Sequence, residues 1–223
     1  MQNTATIIFD FDGTLHDSMV IYRRALQMGY DVLVERGEAA PRRLTDDVMM
    51  ANIGLTSQEA WGIMCPEIPW DVSKRAAVRV GQIMDQLIDE GEARLYAGVP
   101  EMLSSLKEAG HTLVFLSNCR DAYCEAVRRV FGFDQWFANR YYTAERFHGA
   151  PKEQIFEVIR QEIPGPYIAV GDRHKDLALA RAHDLPSIGC TYGFGTPEEL
   201  SGATCLAASP YEIPALVERI CTS

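Results

Sequence analysis

The spacing of apolar residues changes near residue 95. Before that point, after a short apolar run at residues 7–9, apolar positions recur at helical intervals, and no stretch between residues 16 and 95 has the pattern of a strand. The helical intervals predict helices over residues 18–36, 45–52, 57–64 and 71–94. We therefore expect this block to fold entirely as helices.

After Gly98, short apolar runs alternate with helical stretches. The predicted strands are 7–9, 112–117, 167–171, 187–190 and 203–207, and the predicted helices are 100–110, 121–131, 152–162, 175–183, 197–200 and 211–221. This alternation is typical of a parallel sheet covered on both faces. We predict an α/β fold, with a doubly wound, Rossmann-like catalytic core formed by residues 1–15 and 96–223 and an all-helical cap domain formed by residues 16–95.

The composition and net charge of the chain disfavour some classes of binding partner. The 223 residues are 47% hydrophobic and 23% charged, which is typical of a globular protein. A net charge of −10 disfavours binding to a nucleic-acid polymer or an anionic membrane, because both would repel the chain. No run approaches the roughly 18 apolar residues of a membrane span. Six cysteines without a CxxC pair favour a reducing cytoplasm, and both a monomer and a homodimer remain open.

Polar side chains follow the predicted strands where each strand ends. They are Asp10, Asp12, Ser117, Asn118, Asp172 and Asp176, with Lys152 at the start of a helix. Ligands of parallel sheets bind beyond the carboxyl ends of the strands, so we expect these side chains to converge. Crowded carboxylates repel one another unless a cation joins them, and oxygen ligands of this kind suit Mg²⁺.

Single members of this set also have ordinary structural interpretations. A Ser-Asn pair after a strand often caps a helix, as Ser117 and Asn118 would do here. Most lysines are solvated, so Lys152 alone carries little information. The ordered combination of these residues favours a reaction centre.

Four segments resemble, in order and spacing, the motifs of the haloacid dehalogenase-like phosphatase superfamily. They are DFDGTL at 10–15, SN at 117–118, Lys152, and GDRHKD at 171–176. The helical insertion after the first motif resembles the cap of the phosphoglycolate phosphatase and β-phosphoglucomutase branch. YGFG at 192–195 resembles a tail common in that branch, so the resemblance spans the whole chain.

The resemblance implies specific chemical roles for the acidic residues. Asp10 is the expected nucleophile, which takes the phosphoryl group as an aspartyl phosphate. Asp12 is the expected general acid and base. Mg²⁺ is expected on the carboxylates of Asp10 and Asp172, on the backbone carbonyl of Asp12, and on Asp176 directly or through water.

The resemblance also implies a set of substrate-binding residues. Ser117 and Lys152 are expected to hold the transferring phosphoryl group. Gly13, Thr14 and Asn118 are predicted to complete the binding site, and Gly13 allows the chain to turn tightly behind the nucleophile.

Several positions leave more than one interpretation open. Arg173 stands where many relatives have Ser or Thr; its cation either pairs with an acid or reaches the site, and an ion pair is the favoured interpretation. Cys119 stands where some relatives carry Lys, and Arg120 is a candidate substitute. His16 lacks a partner at metal-ligand spacing, so we expect a surface or core histidine. The segment 52–61 fits either a specificity loop or a plain interhelical turn.

These features predict a Mg²⁺-dependent phosphatase acting on a small phosphorylated metabolite. A phosphomutase is the first alternative, although the cap lacks a recognisable mutase-like arrangement of His and Lys. A dehalogenase is disfavoured because Asp12 and Thr14 suit a phosphatase. A non-catalytic phosphate-binding module is the third alternative. Phosphoglycolate, sugar phosphates, nucleotides and pyrophosphate all remain open as substrates.

Overall fold

The computed structural model describes residues 4–222, and its centre is a single parallel sheet. Its strands are β1 (Thr6–Phe9), β2 (Thr112–Ser117), β3 (Tyr141–Thr143), β4 (Tyr167–Gly171), β5 (Ser187–Cys190) and β6 (Cys205–Ala207). The spatial order is β3-β2-β1-β4-β5-β6, with every neighbouring pair parallel. This is the order of a doubly wound, Rossmann-like sheet, which confirms the predicted fold class.

Helices separate and follow these strands. Those described within residues 4–222 are α1 (Met19–Glu35), α2 (Asp46–Asn52), α3 (Ser57–Met64), α4 (Trp70–Asp89), α5 (Val99–Glu108), α6 (Asp121–Phe131), α7 (Asp134–Phe137), α8 (Lys152–Glu162), α9 (His174–Ala182), α10 (Pro197–Leu200) and α11 (Ile213–Thr222). A 3₁₀ turn, Pro210–Glu212, precedes α11. None of the described helices is both long and apolar enough to cross a bilayer.

Most bounds lie within two residues of the prediction, and one helix differs clearly. The helix predicted over 71–94 ends at Asp89, because Gly91 adopts a positive φ of 75° and turns the chain away. The chain then runs back beside its own entry point, where the Asp17 amide donates to the Arg94 carbonyl at 3.0 Å. The two connections between the four helices and the sheet are therefore neighbours.

Two short elements were not predicted. They are α7 and β3, with four and three residues, too few to show a periodicity of their own. Strand β3 is nevertheless well defined by its parallel pairing with β2, in which Ser117 lies opposite Thr143. The sheet thus has one more strand than the apolar pattern indicates.

The position of β1 explains where the polar residues meet. Its side chains pack on both faces of the sheet, with Ile7 on one side and Ile8 on the other. Phe9 lies opposite Phe115 of β2 and Val170 of β4. The residues that follow these three strands therefore emerge at one edge, at the centre of the sheet.

Candidate active site

A buried lysine joins two of the predicted acidic residues. Lys152, at the start of α8, is 4% exposed, and its Nζ donates to Asp10 Oδ1 at 2.5 Å and to Asp176 Oδ1 at 2.6 Å. Asp10 follows β1, and Asp176 lies in the first turn of α9. One carboxylate oxygen each from Asp10, Asp172 and Asp176 lies within 4.8 Å of the others. The predicted convergence of these four side chains is what the fold produces.

The cluster carries more negative than positive charge. Burial, followed by the charge of Asp176, raises the pKa of Asp10 to about 7, although Lys152 opposes the increase. Burial and the charges of Asp10 and Asp176 raise the pKa of Asp172 well above its ordinary value. Burial lowers the pKa of Lys152, but the charges of Asp10 and Asp176 raise it by a larger amount. The pKa of Lys152 therefore lies above its ordinary value. One ammonium faces three carboxylates, which favours binding of a divalent cation.

Backbone and hydroxyl groups hold Asp172 in place. Thr14 Oγ1 donates to Asp172 Oδ1 at 3.0 Å, and the Phe194 amide donates to Oδ2 at 2.8 Å. Gly13 has a φ of 88°, and a Cβ at this position would lie 2.2 Å from Asp172 Oδ2. The carboxylate therefore needs the absence of a side chain at residue 13. The Thr14 hydroxyl is buried against Asp172, and its predicted contact with substrate stays a prediction.

Three side chains hold one oxygen of Asp12. Ser18 Oγ donates to Oδ1 at 2.7 Å and the Tyr123 hydroxyl donates to the same atom at 2.8 Å. His16 Nδ1 lies 3.2 Å from Oδ1 as well. His16 is fully buried, and a core position was one of the two environments expected for it. It also contacts the site residue Asp12. Oδ2 of Asp12 has no hydrogen bond within the described residues.

A small cavity of about 90 Å³ joins these groups. It is lined by most of the predicted site residues, namely Asp10, Asp12, Ser117, Asn118, Lys152 and Asp176. Ser117 is buried, and its Oγ accepts from the Cys119 amide at 3.2 Å. Asn118 Nδ2 donates to the Gly54 carbonyl at 3.2 Å, so Asn118 faces the turn between α2 and α3. The predicted site residues lie together, and their chemical roles stay predictions.

Two basic residues at the start of α9, Arg173 and Lys175, contact the helical block formed by residues 16–95. Arg173 pairs with Glu199 at 3.0 Å, as the favoured interpretation predicts, and it also lines the small cavity, as the alternative predicts. The same guanidinium donates to the Ile53 carbonyl at 2.6 Å. Lys175 pairs with Glu59 of α3 at 3.2 Å. These contacts place the α2–α3 turn over the cavity.

Sequence reasoning missed Tyr123 and Phe194 as supports of the site. Tyr123 is separated from Asp12 by 111 residues, so no local pattern connects the two. A usable signal was its place early in α6, the helix that follows β2 at the site edge. Arg120 pairs with Asp85 of α4 at 2.9 Å, so its guanidinium is engaged with the helical block.

The sheet is Rossmann-like and carries buried carboxylates and a lysine at its carboxyl edge. This arrangement is that of an α/β enzyme with an active site of acidic residues. Within that class, the model of the haloacid dehalogenase-like hydrolases matches residues 4–184, and the chain belongs to this family. The family predicted from the four motifs is thereby confirmed, and so is the prediction of a hydrolase.

Individual relatives agree with this placement, and a solved structure agrees with the fold. A 5′-nucleotidase of Pseudomonas aeruginosa is 28% identical over 208 residues, covering 87% of this chain and 86% of that protein. A phosphoglycolate phosphatase of Synechococcus elongatus is 26% identical, covering 88% of each chain. The crystal structure of a predicted phosphoglycolate phosphatase from Haemophilus somnus superposes with a TM-score of 0.82 at 20% identity, covering 97% of this chain and 99% of that one.

Proposed function

We propose that this protein is a Mg²⁺-dependent phosphatase that hydrolyses a small phosphomonoester through an aspartyl phosphate on Asp10. The observation that carries the proposal is the buried Lys152 ammonium, which bonds Asp10 and Asp176 beside Asp172 in a cavity that Ser117 also lines. The names of the relatives, a 5′-nucleotidase and a phosphoglycolate phosphatase, support the same class of reaction.

The acidic cluster fits Mg²⁺ by charge and by ligand type. Asp10, Asp172 and Asp176 offer hard carboxylate oxygens within 4.8 Å of one another, and the charge surplus favours a divalent cation. By family resemblance, the backbone carbonyl of Asp12 would be a further ligand. A bound Mg²⁺ would supply neutralisation of the charge on the phosphoryl oxygens.

The transfer step uses Asp10, Lys152 and Ser117. A carboxylate oxygen of Asp10 attacks phosphorus, and the bond from phosphorus to the ester oxygen of the substrate breaks. Lys152 holds the charge of the Asp10 carboxylate before attack, and its ammonium is placed to bind a phosphoryl oxygen. The Ser117 hydroxyl lines the same cavity and donates to a second phosphoryl oxygen.

Asp12 moves the proton. Its carboxyl group protonates the departing alkoxide, and the resulting carboxylate then removes a proton from the water that attacks the aspartyl phosphate. Hydrolysis releases phosphate and restores Asp10. Ser18 and Tyr123 hold Oδ1 of Asp12, which leaves Oδ2 as the oxygen that carries the proton.

We further propose that residues 16–95 form a cap domain over a core of residues 1–15 and 96–223. The adjacent exit and return of the chain at Asp17 and Arg94 support this division. Contacts from Asn118 and Arg173 to the carbonyls of Gly54 and Ile53 support the position of the cap, because they join the sheet edge to the α2–α3 turn. The cap would exclude water from the cavity and contact the leaving group.

Release of phosphate from a panel of phosphate esters tests the proposal. We expect turnover with Mg²⁺, its loss with a chelator, and its loss in Asp10→Asn. Asp184→Asn is the matched control, because this exposed residue has a φ of 50°, which asparagine accepts. Wild-type rates in Asp10→Asn would refute the covalent route, and movement of phosphate within a sugar without release would indicate a phosphomutase.

A further inference from the structure

A second cavity adjoins Asp12 on the side of the helical block. Its volume is about 640 Å³, and it shares Asp12, Gly54 and Asn118 with the smaller cavity. Since Asp12 is the proposed proton donor to the ester oxygen, the leaving alcohol has to lie where Asp12 reaches it. The larger cavity is therefore the space available to the leaving group.

The size of this cavity excludes a close fit to a two-carbon alcohol. Glycolate has about five heavy atoms and a nucleoside about 18, and pockets for ligands of the size of a nucleoside commonly measure about 300–1,000 Å³. The 640 Å³ of the cavity lies within this range. The space thus suits a leaving group of the size of a nucleoside.

Aromatic side chains line the larger cavity. Tyr22 of α1 and Trp70 of α4 are partly exposed in it, and Trp61 of α3 contributes a more buried surface. Within residues 4–222, none of these three rings stacks on another aromatic ring. Tyr22 and Trp70 are the two partly exposed rings and offer surface to a flat ring system. Stacking of a nucleobase on such side chains favours binding whichever base is present.

The charged side chains that line the larger cavity suit an uncharged leaving group. Arg120 is engaged by Asp85 at 2.9 Å and by the Gly81 carbonyl. Lys74 is exposed at the rim. Among the described residues, the lining thus offers no buried, unpaired cation to neutralise the carboxylate of a leaving group such as glycolate. Burial of an unpaired carboxylate there is unfavourable.

One buried hydrogen-bond acceptor in the larger cavity, Asn52 Oδ1, calls for a donor from the ligand. Asn52 lines the cavity and is 3% exposed, and its Nδ2 donates to the Val48 carbonyl at 2.8 Å. Its Oδ1 is buried without a hydrogen-bond partner among the described residues. A buried acceptor of this kind is usually satisfied, and an N–H or O–H of a ligand would satisfy it.

We propose that the substrates are nucleoside 5′-monophosphates, an assignment that rests on the phosphatase function proposed above. The phosphate occupies the small cavity beside Asp10, and the nucleoside occupies the large one. The base stacks against Trp70, and Asn52 Oδ1 accepts a hydrogen bond from the base or the sugar.

Comparison of kcat/KM values tests this assignment. The substrates are adenosine and uridine 5′-monophosphate, phosphoglycolate, and 4-nitrophenyl phosphate. The last has a leaving group with one ring that is smaller than a nucleoside. We expect both nucleotides to exceed the other two by about tenfold or more. Trp70→Ala is expected to lower the ratio of nucleotide to phosphoglycolate by about fivefold or more. Ala77→Phe, which fills part of the cavity, is expected to lower the same ratio without removing a tryptophan.

A control variant and a binding measurement separate the possible failures. Trp136→Phe alters a buried tryptophan bonded to Ser104, outside the cavity, and is expected to leave the ratio unchanged. Calorimetry on Asp10→Asn measures binding of the same esters without turnover, and nucleotides are expected to bind at least tenfold more tightly than phosphoglycolate. Hydrolysis that favours phosphoglycolate or the nitrophenyl ester would overturn the assignment and leave the phosphatase intact. Absence of both turnover and binding for every ester would overturn both.

Discussion

The buried carboxylates predict that the metal-free protein loses stability as the pH rises. The pKa of Asp10 is raised in the folded protein from an ordinary value of 3.8 to about 7. A raised pKa of this kind gives stability that is complete below the unfolded value and is lost as the pH rises through the folded value. The loss therefore falls between about pH 4 and pH 7, and the raised pKa of Asp172 acts in the same direction.

The magnitude follows from the size of the change in pKa. An increase of about three units corresponds to roughly 4 kcal/mol, and the slope within the window is ~1.4 kcal/mol per pH unit. From about pH 5 to pH 8, Asp10 alone should lower the free energy of unfolding by roughly 3 kcal/mol. For a chain of this length, this corresponds to a decrease in melting temperature of about 6–12 °C.

Thermal denaturation of chelator-treated protein at about pH 5 and pH 8 measures this loss. Wild type and Asp10→Asn are compared, because their difference removes the contribution of titrating groups elsewhere. Added Mg²⁺ should raise the melting temperature of the wild type more at pH 8 than at pH 5, since protons compete with the metal for the carboxylates. Equal pH slopes in wild type and Asp10→Asn, or an effect of Mg²⁺ that does not depend on pH, would refute the reasoning.

Three substitutions test the supports of the site. In Gly13→Ala the new Cβ meets Asp172 Oδ2 at 2.2 Å, so the Mg²⁺ concentration for half-maximal activity should rise at least tenfold; an unchanged Mg²⁺ titration would contradict the described geometry. Tyr123→Phe removes a donor to Asp12 and should lower kcat about tenfold or more with little effect on KM, whereas a change confined to KM would exclude the positioning role. Arg173→Met removes the bond to the Ile53 carbonyl, so amides of α2 should exchange with solvent faster than in wild type; unchanged protection would show that this contact does not hold the turn.

The fold was predictable because helical and strand periodicities differ, and because the site residues follow strand ends. The same reasoning failed where an element is set by distant partners. Strand β3 has three residues and depends on pairing with β2. The early end of α4 at Asp89 is a different case, because its cause, the positive φ of Gly91, is local. Two supports of Asp12 and Asp172 were also missed, because Tyr123 and Phe194 reach them through the tertiary structure.

The neighbouring connections at Asp17 and Arg94 have an evolutionary consequence. Because the chain leaves the sheet and returns to it at almost the same place, closing the gap between the two points requires only a few residues. A different helical block can be exchanged there without moving β1 or the residues after it. Such an architecture permits a lineage to acquire new substrates by substitution, insertion or replacement in one continuous segment, while Asp10, Lys152 and Asp172, which lie outside that segment, are inherited unaltered.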